Sequence, residues 1–159
     1  MKGKARIALT LVFMCVLAFL GFLMVDQDKE KAAVDASKAW LKLVDEVKYS
    51  ESWDEAAQYF KNAVNKDQWK TSLESVRSPL GKVLSRNLKS KKYTKTLPDA
   101  PDGEYVVIQY ETSFQNKQHA IETITPMLDK DGKWRVSGYY INPSVAQLFM
   151  RSICKCLCI

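Results

Sequence analysis

The apolar and polar positions divide this chain into three parts: an apolar leader, a helical first half and a strand-rich second half. Residues 7–25 contain no charged side chain. From about residue 33, apolar residues recur every three or four positions, as they do on one face of an α-helix. From about residue 93, apolar and β-branched residues fill short runs between turn signals, which is typical of β-strands.

Two helices are predicted before residue 65. The first carries a stripe of apolar residues at helical spacing. A capping box of Ser52 and Glu55 predicts where the second begins, because such side chains satisfy the free N–H groups of a helix N-terminus. The stripe of the first helix consists of Ala33, Ala36, Trp40, Leu43, Val44 and Val47. The second helix is expected to direct toward the core Trp53, Ala56, Ala57, Phe60 and Val64.

A third helix is predicted to begin at Asn65, which forms another capping signal with Gln68. Residues 78–81 then bend the chain. Residues 83–88 predict one more short helical piece, so that helices continue until about residue 90. The apolar positions of these two segments are Trp69, Leu73, Val76, Val83, Leu84 and Leu88.

The second half predicts a meander of strands. A turn-rich loop at 98–103, a turn at 116–117 and a strong hairpin signal at 129–132 separate them. Helices followed by such a meander indicate an α+β domain with helices on one face of a curved antiparallel sheet. The strands are predicted at residues 93–97, 105–114, 118–128 and 134–141.

The leader has the layout of an export signal. Three basic residues precede the apolar run, and acidic residues follow it from Asp26 onward. The run is about long enough to span a bilayer, and the positive-inside bias leaves the domain outside the cytoplasm. No small-residue cleavage site follows Val25 directly, so a retained anchor is favoured over a cleaved, secreted form. A soluble helix is the third interpretation.

The remaining chain suits one domain at residues 33–141, preceded by a linker at 26–32 and followed by a tail at 142–159. The formal net charge of the whole chain is +6, too mild without the basic leader to indicate nucleic-acid binding. The tail predicts a short helix through Val145, Leu148 and Phe149.

The charge is unevenly distributed, because residues 75–98 contain bases and no acid. One interpretation is a solvated, lysine-rich face. The other is a patch for anionic lipid or an acidic partner, where each base near an anionic membrane adds about 1 kcal/mol. The segment begins at Arg77, and the patch itself consists of Lys82, Arg86, Lys89, Lys91, Lys92 and Lys95.

The four cysteines do not form a disulfide framework for the domain. Cys15 lies in the leader, and the others lie in the last six residues of the tail. Their alternating spacing is poor for zinc. Prenylation of the C-terminal box would require a cytosolic enzyme that an exported domain does not meet. Intermolecular disulfides, or no role at all, are the favoured alternatives for Cys154, Cys156 and Cys158.

Glu122 is the most informative candidate site residue. It lies in mid-strand between Ile121 and Ile124, where a carboxylate is unfavourable without a partner. An arginine suits a fixed buried contact with it, because a guanidinium forms bidentate pairs with carboxylates. A structural pair between sheet and helices is favoured over a ligand-binding cavity or plain exposure. The candidate partners are Arg77, Arg86 and Arg135.

Other candidates are aromatic or lone side chains. Tyr139 and Tyr140 point to opposite faces of one strand, so one is core and the other is free to contact a ligand. The only histidine, His119, is expected to be exposed beside a turn. The tryptophans are expected in the core, although they could instead line a pocket: Trp40, Trp53, Trp69 and Trp134.

No catalytic, cofactor or metal motif is recognisable, whether a nucleophile elbow, a phosphate-binding glycine loop or a zinc ligand set. The sequence therefore predicts no catalytic residue, no cofactor and no metal.

A combination of motifs resembles a known family. The motifs are Ala39–Leu41, Tyr49–Trp53, Trp69, Arg77–Gly81, Ser85–Arg86, Asp102–Tyr105, Phe114, Glu122–Thr123 and Asp131–Ile141. Together they resemble an uncharacterised bacterial family of exported or membrane-anchored proteins, domain of unknown function 4019, over about residues 33–141. The resemblance implies a layout similar to the NTF2-like and cystatin-like group and carries over no catalytic residues. The cysteine-rich tail departs from the family pattern.

Three functions remain open. The leading one is a non-enzymatic, membrane-tethered binding or assembly domain outside the cytoplasm, either periplasmic or on the cell surface. Its partner would be another protein or a second copy of this chain. The sequence identifies no small-molecule ligand. The second is an enzyme that uses an NTF2-like cavity with Glu122 as acid or base. The third is binding to an anionic membrane surface through residues 77–95.

Overall fold

The computed structural model describes residues 27–143. Over these residues the fold is α+β, with helices followed by a four-stranded antiparallel sheet. The predicted leader, the tail helix and all four cysteines lie outside the described residues. Between residues 27 and 143, no helix combines the length and the apolarity needed to cross a membrane.

The first helix, α1, covers residues 27–45. Residues 27–32, expected to be a linker, are therefore helical. The helix ends before Val47, which has a φ of 62° and is 66% exposed. Val47 was thus wrongly assigned to the apolar stripe, and Ala36 and Leu43 are only half-buried. The buried face of α1 is therefore rotated about the helix axis relative to the predicted stripe. It consists of Ala33, Val34, Ser37, Trp40, Leu41 and Val44.

The expected second helix is two short helices, α2 (Tyr49–Asp54) and α3 (Gln58–Ala63). The predicted capping box is wrong, because Ser52 lies inside α2 and is fully buried. Its hydroxyl donates to the carbonyl of Tyr49 and accepts from Trp69 Nε1 at 3.0 Å. The helix is interrupted between α2 and α3 because the N–H of Ala57 donates to the carbonyl of Val136 in the sheet.

The helix α4 (Lys66–Arg77) confirms the third prediction. Asn65 caps it, its side chain accepting from the N–H of Gln68 at 2.9 Å in a reciprocal capping box. A single 3-10 turn, Ser78–Leu80, ends at Gly81. Gly81 has a φ of 73°, and a Cβ there would meet the side chain of Gln115 at 3.0 Å, so this bend requires glycine.

The first strand, β1 (Val83–Thr94), corrects the sequence analysis. Residues 83–88 are not helical, and the expected short strand at 93–97 is only the end of β1. The register with the next strand shifts between Val83 and Ser85 and again between Leu88 and Ser90. Such bulges interrupt the alternation of inward and outward side chains, which removes the usual strand signal.

The other three strands match the predictions closely: β2 (Tyr105–Phe114), β3 (Lys117–Leu128) and β4 (Trp134–Pro143). The strand order is β1-β2-β3-β4, all antiparallel. The β3–β4 hairpin turns at Gly132, which has a φ of 78° and donates to the carbonyl of Asp129.

The core lies between the helices and one face of the sheet, here called the inner face. Its sheet residues alternate along β2 and continue into β3 and β4, as a period of two requires. Its helical residues come from α1, α2 and α4. The buried cluster includes Val34, Trp40, Leu41, Val44, Tyr49, Trp69, Leu73, Val106, Ile108, Tyr110, Ile124 and Val136.

Candidate functional site

Glu122 lies on the inner face in the middle of β3, opposite Tyr110 of β2 and Ile141 of β4. Its side chain has no solvent exposure. A buried carboxylate is stable only if it is paired and hydrogen-bonded. The neighbours of Glu122 therefore define the candidate site.

Four side chains donate to the carboxylate of Glu122. The hydroxyls of Thr112 and Tyr139 donate at 2.5 Å, one to each oxygen. Arg86 donates from Nε at 2.6 Å to Oε2 and from Nη2 at 3.3 Å to Oε1. Arg77 adds a longer bond from Nη1 at 3.4 Å. Both oxygens of Glu122 are thus fully engaged.

A second carboxylate, Asp45, joins the same two arginines. It accepts from Arg77 Nη2 at 2.7 Å and from Arg86 Nη1 and Nη2 at 2.7 and 3.0 Å. Two carboxylates and two guanidinium groups make the cluster formally neutral. We call these residues, with Thr112 and Tyr139, the Glu122 cluster.

The Glu122 cluster runs from the interior to the surface. The side-chain exposure is 0% for Glu122, 5% for Arg77, 15% for Arg86 and 29% for Asp45. Its outer end borders a shallow groove of about 390 Å³ that includes Lys38, Leu41 and Lys42. Only the Asp45–Arg86 end of the cluster is therefore accessible to another molecule.

The ends of two helices bring the cluster together. Asp45 ends α1, where the negative end of the helix dipole disfavours a carboxylate. Arg77 ends α4, where a cation is favourable. The guanidinium of Arg77 also lies over the Phe114 ring, 4.7 Å from its centroid. Arg86 comes from β1, and the remaining members come from β2, β3 and β4, so one cluster links both helices to all four strands.

The cluster shifts the proton affinities of two of its members. Burial alone would lower the pKa of Arg86, but hydrogen bonds to Asp45 and Glu122 raise it above the ordinary value. Burial raises the pKa of the Tyr139 phenol well above 10.0, and the negative charge of Glu122 raises it further. Arg86 therefore stays cationic and Tyr139 stays protonated at neutral pH.

This geometry suits a structural cluster better than an acid–base site. A general base must come within hydrogen-bond reach of the proton that it takes from a substrate. Glu122 has no exposed surface, and its oxygens already accept five hydrogen bonds. Over residues 27–143, it lines neither the groove beside Asp45 nor the grooves at the hairpin end of the sheet and beside Trp134.

Two predicted site residues lie elsewhere. Arg135 does not contact Glu122 and instead pairs with Asp129 at 3.1 Å and Asp131 at 2.8 Å, beside the β3–β4 turn. Its predicted partnership with Glu122 is wrong, because Arg135 lies near the hairpin end of β4. Tyr140 is 61% exposed on the face of the sheet opposite the helices. Tyr139 is the tyrosine that packs inward.

Asp45 and Thr112 are cluster members that the sequence analysis missed. Asp45 has a signal in the sequence, since an acid in the last turn of a helix is unfavourable unless a cation compensates. Thr112 has a weaker one, because it occupies an inward position of β2, two residues from Tyr110 and from Phe114.

The predicted basic patch is smaller than expected. Arg86 belongs to the cluster, and Arg77 is buried. Lys89 pairs with Glu111 at 3.2 Å, and Lys91 pairs with Glu30 at 3.1 Å. Exposed lysines of the patch also include Lys82, Lys92 and Lys95.

The aromatic predictions hold in part. Trp40 and Trp69 are buried, with ring centroids 6.0 Å apart. Trp53 and Trp134 are partly buried at the margin of the core. His119 is exposed. Over the described range, no three His, Cys, Asp or Glu side chains are grouped to hold a metal ion.

A larger groove of about 860 Å³ lies at the hairpin end of the sheet. It is bounded by α2–α3, the 101–103 segment and the β3–β4 turn. Both acidic and basic side chains line it, including Asp54, Lys61, Asp102 and Lys130. Nothing in this mixture selects one class of ligand.

A family model described as "Protein of unknown function (DUF4019)" matches residues 36–139, from α1 into β4. The comparison with curated proteins gives no match.

Proposed function

The chain belongs to the DUF4019 family of proteins of unknown function, and from this premise we propose that it is a non-enzymatic binding or assembly domain that its N-terminal segment tethers to a membrane. The proposal places the domain outside the cytoplasm. Its two parts, tether and non-enzymatic domain, rest on different observations.

The tether is supported by the sequence of residues 1–25 and by the position of α1. The apolar run at 7–25 has the length of a bilayer span and follows a basic start. The described helix α1 already contains residue 27. Very little chain thus separates the proposed span from the folded domain, which argues for a domain held close to the membrane surface.

The non-enzymatic role rests chiefly on one observation, the saturation of Glu122. Its carboxylate is fully buried, and four protein side chains occupy its hydrogen-bonding positions. The enzyme alternative needs this carboxylate free to exchange a proton with a substrate. We therefore favour binding or assembly over catalysis.

The placement of helices on one face of an antiparallel meander supports the finer assignment to an NTF2-like or cystatin-like layout. Fold analogy does not specify a ligand. We propose the layout only as a frame that presents surfaces to a partner.

The anionic-membrane alternative is less supported. Lysines on an edge strand protect it from pairing with other strands, and β1 is an edge strand with two register shifts. Co-sedimentation of the full chain, reconstituted in neutral vesicles, with added anionic phosphatidylglycerol vesicles tests it. Salt-sensitive recruitment of the added vesicles would restore this alternative.

Cell fractionation with intact-mass measurement tests the tether. We expect the full-length mass in the membrane fraction, resistant to alkaline extraction, with the domain open to protease from the outer side. The double variant Val16→Arg with Leu20→Arg should lose membrane insertion, since each central arginine costs roughly 2.5–3.5 kcal/mol. The control Val16→Leu with Leu20→Ile should insert normally. A native chain in the cytosolic fraction would contradict the proposal.

A further inference from the structure

The face of the sheet opposite the helices, here called the outer face, has an uncharged centre. One row crosses all four strands in register: Ser90, Gln109, Thr123 and Tyr140. Val107 and Ile121 lie beside this row on β2 and β3. Tyr140 is 61% exposed, which is unusual for a large aromatic side chain in mid-strand. Charged side chains of this face flank the uncharged row: Lys92 lies opposite Val107, Glu111 lies opposite Ile121, and Arg135 lies near the β3–β4 turn.

The described helices leave this face open. The buried core takes its β2 residues from the inner face, namely Val106, Ile108 and Tyr110. Within residues 27–143, one corner of the outer face is covered by the chain itself. There the hydroxyl of Tyr105 donates to the carbonyl of Pro101 at 2.6 Å, and Tyr105 is fully buried.

The direction of α1 fixes how two tethered copies can meet. Near its start, Glu30 accepts from the N–H of Tyr93, and at its end Asp45 pairs with Arg86. The helix rises roughly 22 Å between residues 30 and 45, and β1 rises roughly 23 Å between residues 86 and 93. The helix therefore lies along the strands, with its N-terminal end beside the 95–104 loop.

We propose that two copies of this chain associate through their outer faces, with a two-fold axis parallel to the strands. Such an axis places both α1 N-termini at the same end, so that both chains enter one membrane. This orientation rests on the proposed tether. Pairing of two edge strands requires an antiparallel arrangement, which would direct the two α1 N-termini in opposite directions. The lysines and bulges of β1 further oppose edge pairing.

The size and character of the face suit a second copy. Four strands of about ten residues cover roughly 19 Å by 33 Å. Two such faces bury roughly 1,250 Å², near the lower bound for a specific interface. An uncharged centre is compatible with itself, whereas a charged one would repel its copy. Tyr140 lies midway along β4, and tyrosine is among the residues enriched at interfaces.

Cross-linking of the full chain in native membranes tests this inference. The four native cysteines are changed to serine, and Thr123→Cys places one thiol at the centre of the outer face. A short bis-maleimide should then give a homodimer. The control Ser75→Cys, an exposed position on α4, should stay monomeric.

A second substitution tests whether the cross-linking depends on contact between the outer faces. Added to Thr123→Cys, Tyr140→Arg should lower the dimer fraction about tenfold, because it buries two unpaired charges. Tyr140→Phe should leave the fraction unchanged. Equal tryptophan fluorescence would show that both variants fold.

Each remaining outcome decides the question. A monomeric Thr123→Cys, or a dimer that Tyr140→Arg does not reduce, overturns the inference. An adduct with a different protein identifies another occupant and also overturns it. Fractionation of the same samples reports the tether separately. A dimer in the soluble fraction would refute the tether but would still support association through the outer faces.

Discussion

Two clusters of arginine and carboxylate involve the β3–β4 hairpin, and they differ mainly in burial. The Glu122 cluster lies under the helices, and its central carboxylate has no exposure. The second cluster joins Arg135 to Asp129 and Asp131 beside the β3–β4 turn, with the Asp131 side chain 48% exposed. The shortest ion-pair contacts are similar, 2.6 Å in the first and 2.8 Å in the second.

The comparison shows that contact distance alone does not measure the importance of an ion pair. At the surface, water replaces a lost partner, and exposed pairs contribute little. In the interior, removal of one partner leaves an uncompensated charge. The loss of stability should therefore follow burial along both clusters.

Glu122→Ala should cause the largest loss. It leaves Arg77 and Arg86 facing a cavity with Asp45 as their remaining acid, which should cost about 3–5 kcal/mol. Urea unfolding of the full chain in mild detergent, followed by tryptophan fluorescence, measures this change. A loss no larger than that of a surface substitution would contradict the structural role.

Asp45→Ala should have an intermediate effect of about 2 kcal/mol. The side chain is partly exposed, so water can reach the two arginines, but Arg77 remains buried. The same unfolding measurement applies, with Glu46→Ala as a matched control from the exposed turn after α1. Equal losses for the two variants would show that proximity to Arg77 does not matter.

Tyr139→Phe should cost about 1.5 kcal/mol at neutral pH, the value of one hydrogen bond to a charged group. It should also change the response to alkali. The pKa of Tyr139 is raised in the folded state, so its contribution is intact below pH 10.0 and is lost as the pH rises further. Unfolding curves above pH 10 should therefore decline less steeply for Tyr139→Phe. An unchanged slope would count against burial of this phenol.

Asp131→Asn should have the smallest effect, with no resolvable shift of the urea midpoint at pH 7. Hydrogen bonds from Arg135 lower the pKa of Asp131 well below its usual range. Any contribution is thus present above pH 3.8 and fades as the pH falls. Because the side chain is exposed, solvent screens it. A midpoint shift comparable to that of Glu122→Ala would reject the burial argument.

The sequence predicts the second half of this fold well and the middle poorly. The strands after residue 104 combine β-branched residues with clear turn signals, and the hairpin at Asp129–Gly132 matches its prediction. β1 was missed because few of its residues favour strands and because two bulges break its alternation. The predicted cap at Ser52 was wrong because this serine is buried in the core, where its hydroxyl accepts a hydrogen bond from Trp69.

The candidate site was predicted in its chemistry but not in its membership. A carboxylate between isoleucines requires a partner wherever it is buried, so the sequence predicted a pairing of Glu122 with arginine, with Arg77, Arg86 and Arg135 as candidates. The partners on α1 and β2 depend on how helices cross the sheet, which periodicity does not specify. Arg135 was equally plausible in sequence and was separated only by its position along β4.

A pair of double-mutant cycles tests the structural role of the Glu122 cluster most directly. One cycle combines Glu122→Gln with Arg86→Gln, and the other combines Asp131→Asn with Arg135→Gln. Unfolding of the full chain should give a coupling of about 2–3 kcal/mol for the buried pair and no resolvable coupling for the exposed pair. Equal couplings, or a Glu122→Gln variant with unchanged stability, would contradict the account and return Glu122 to the list of candidate functional groups.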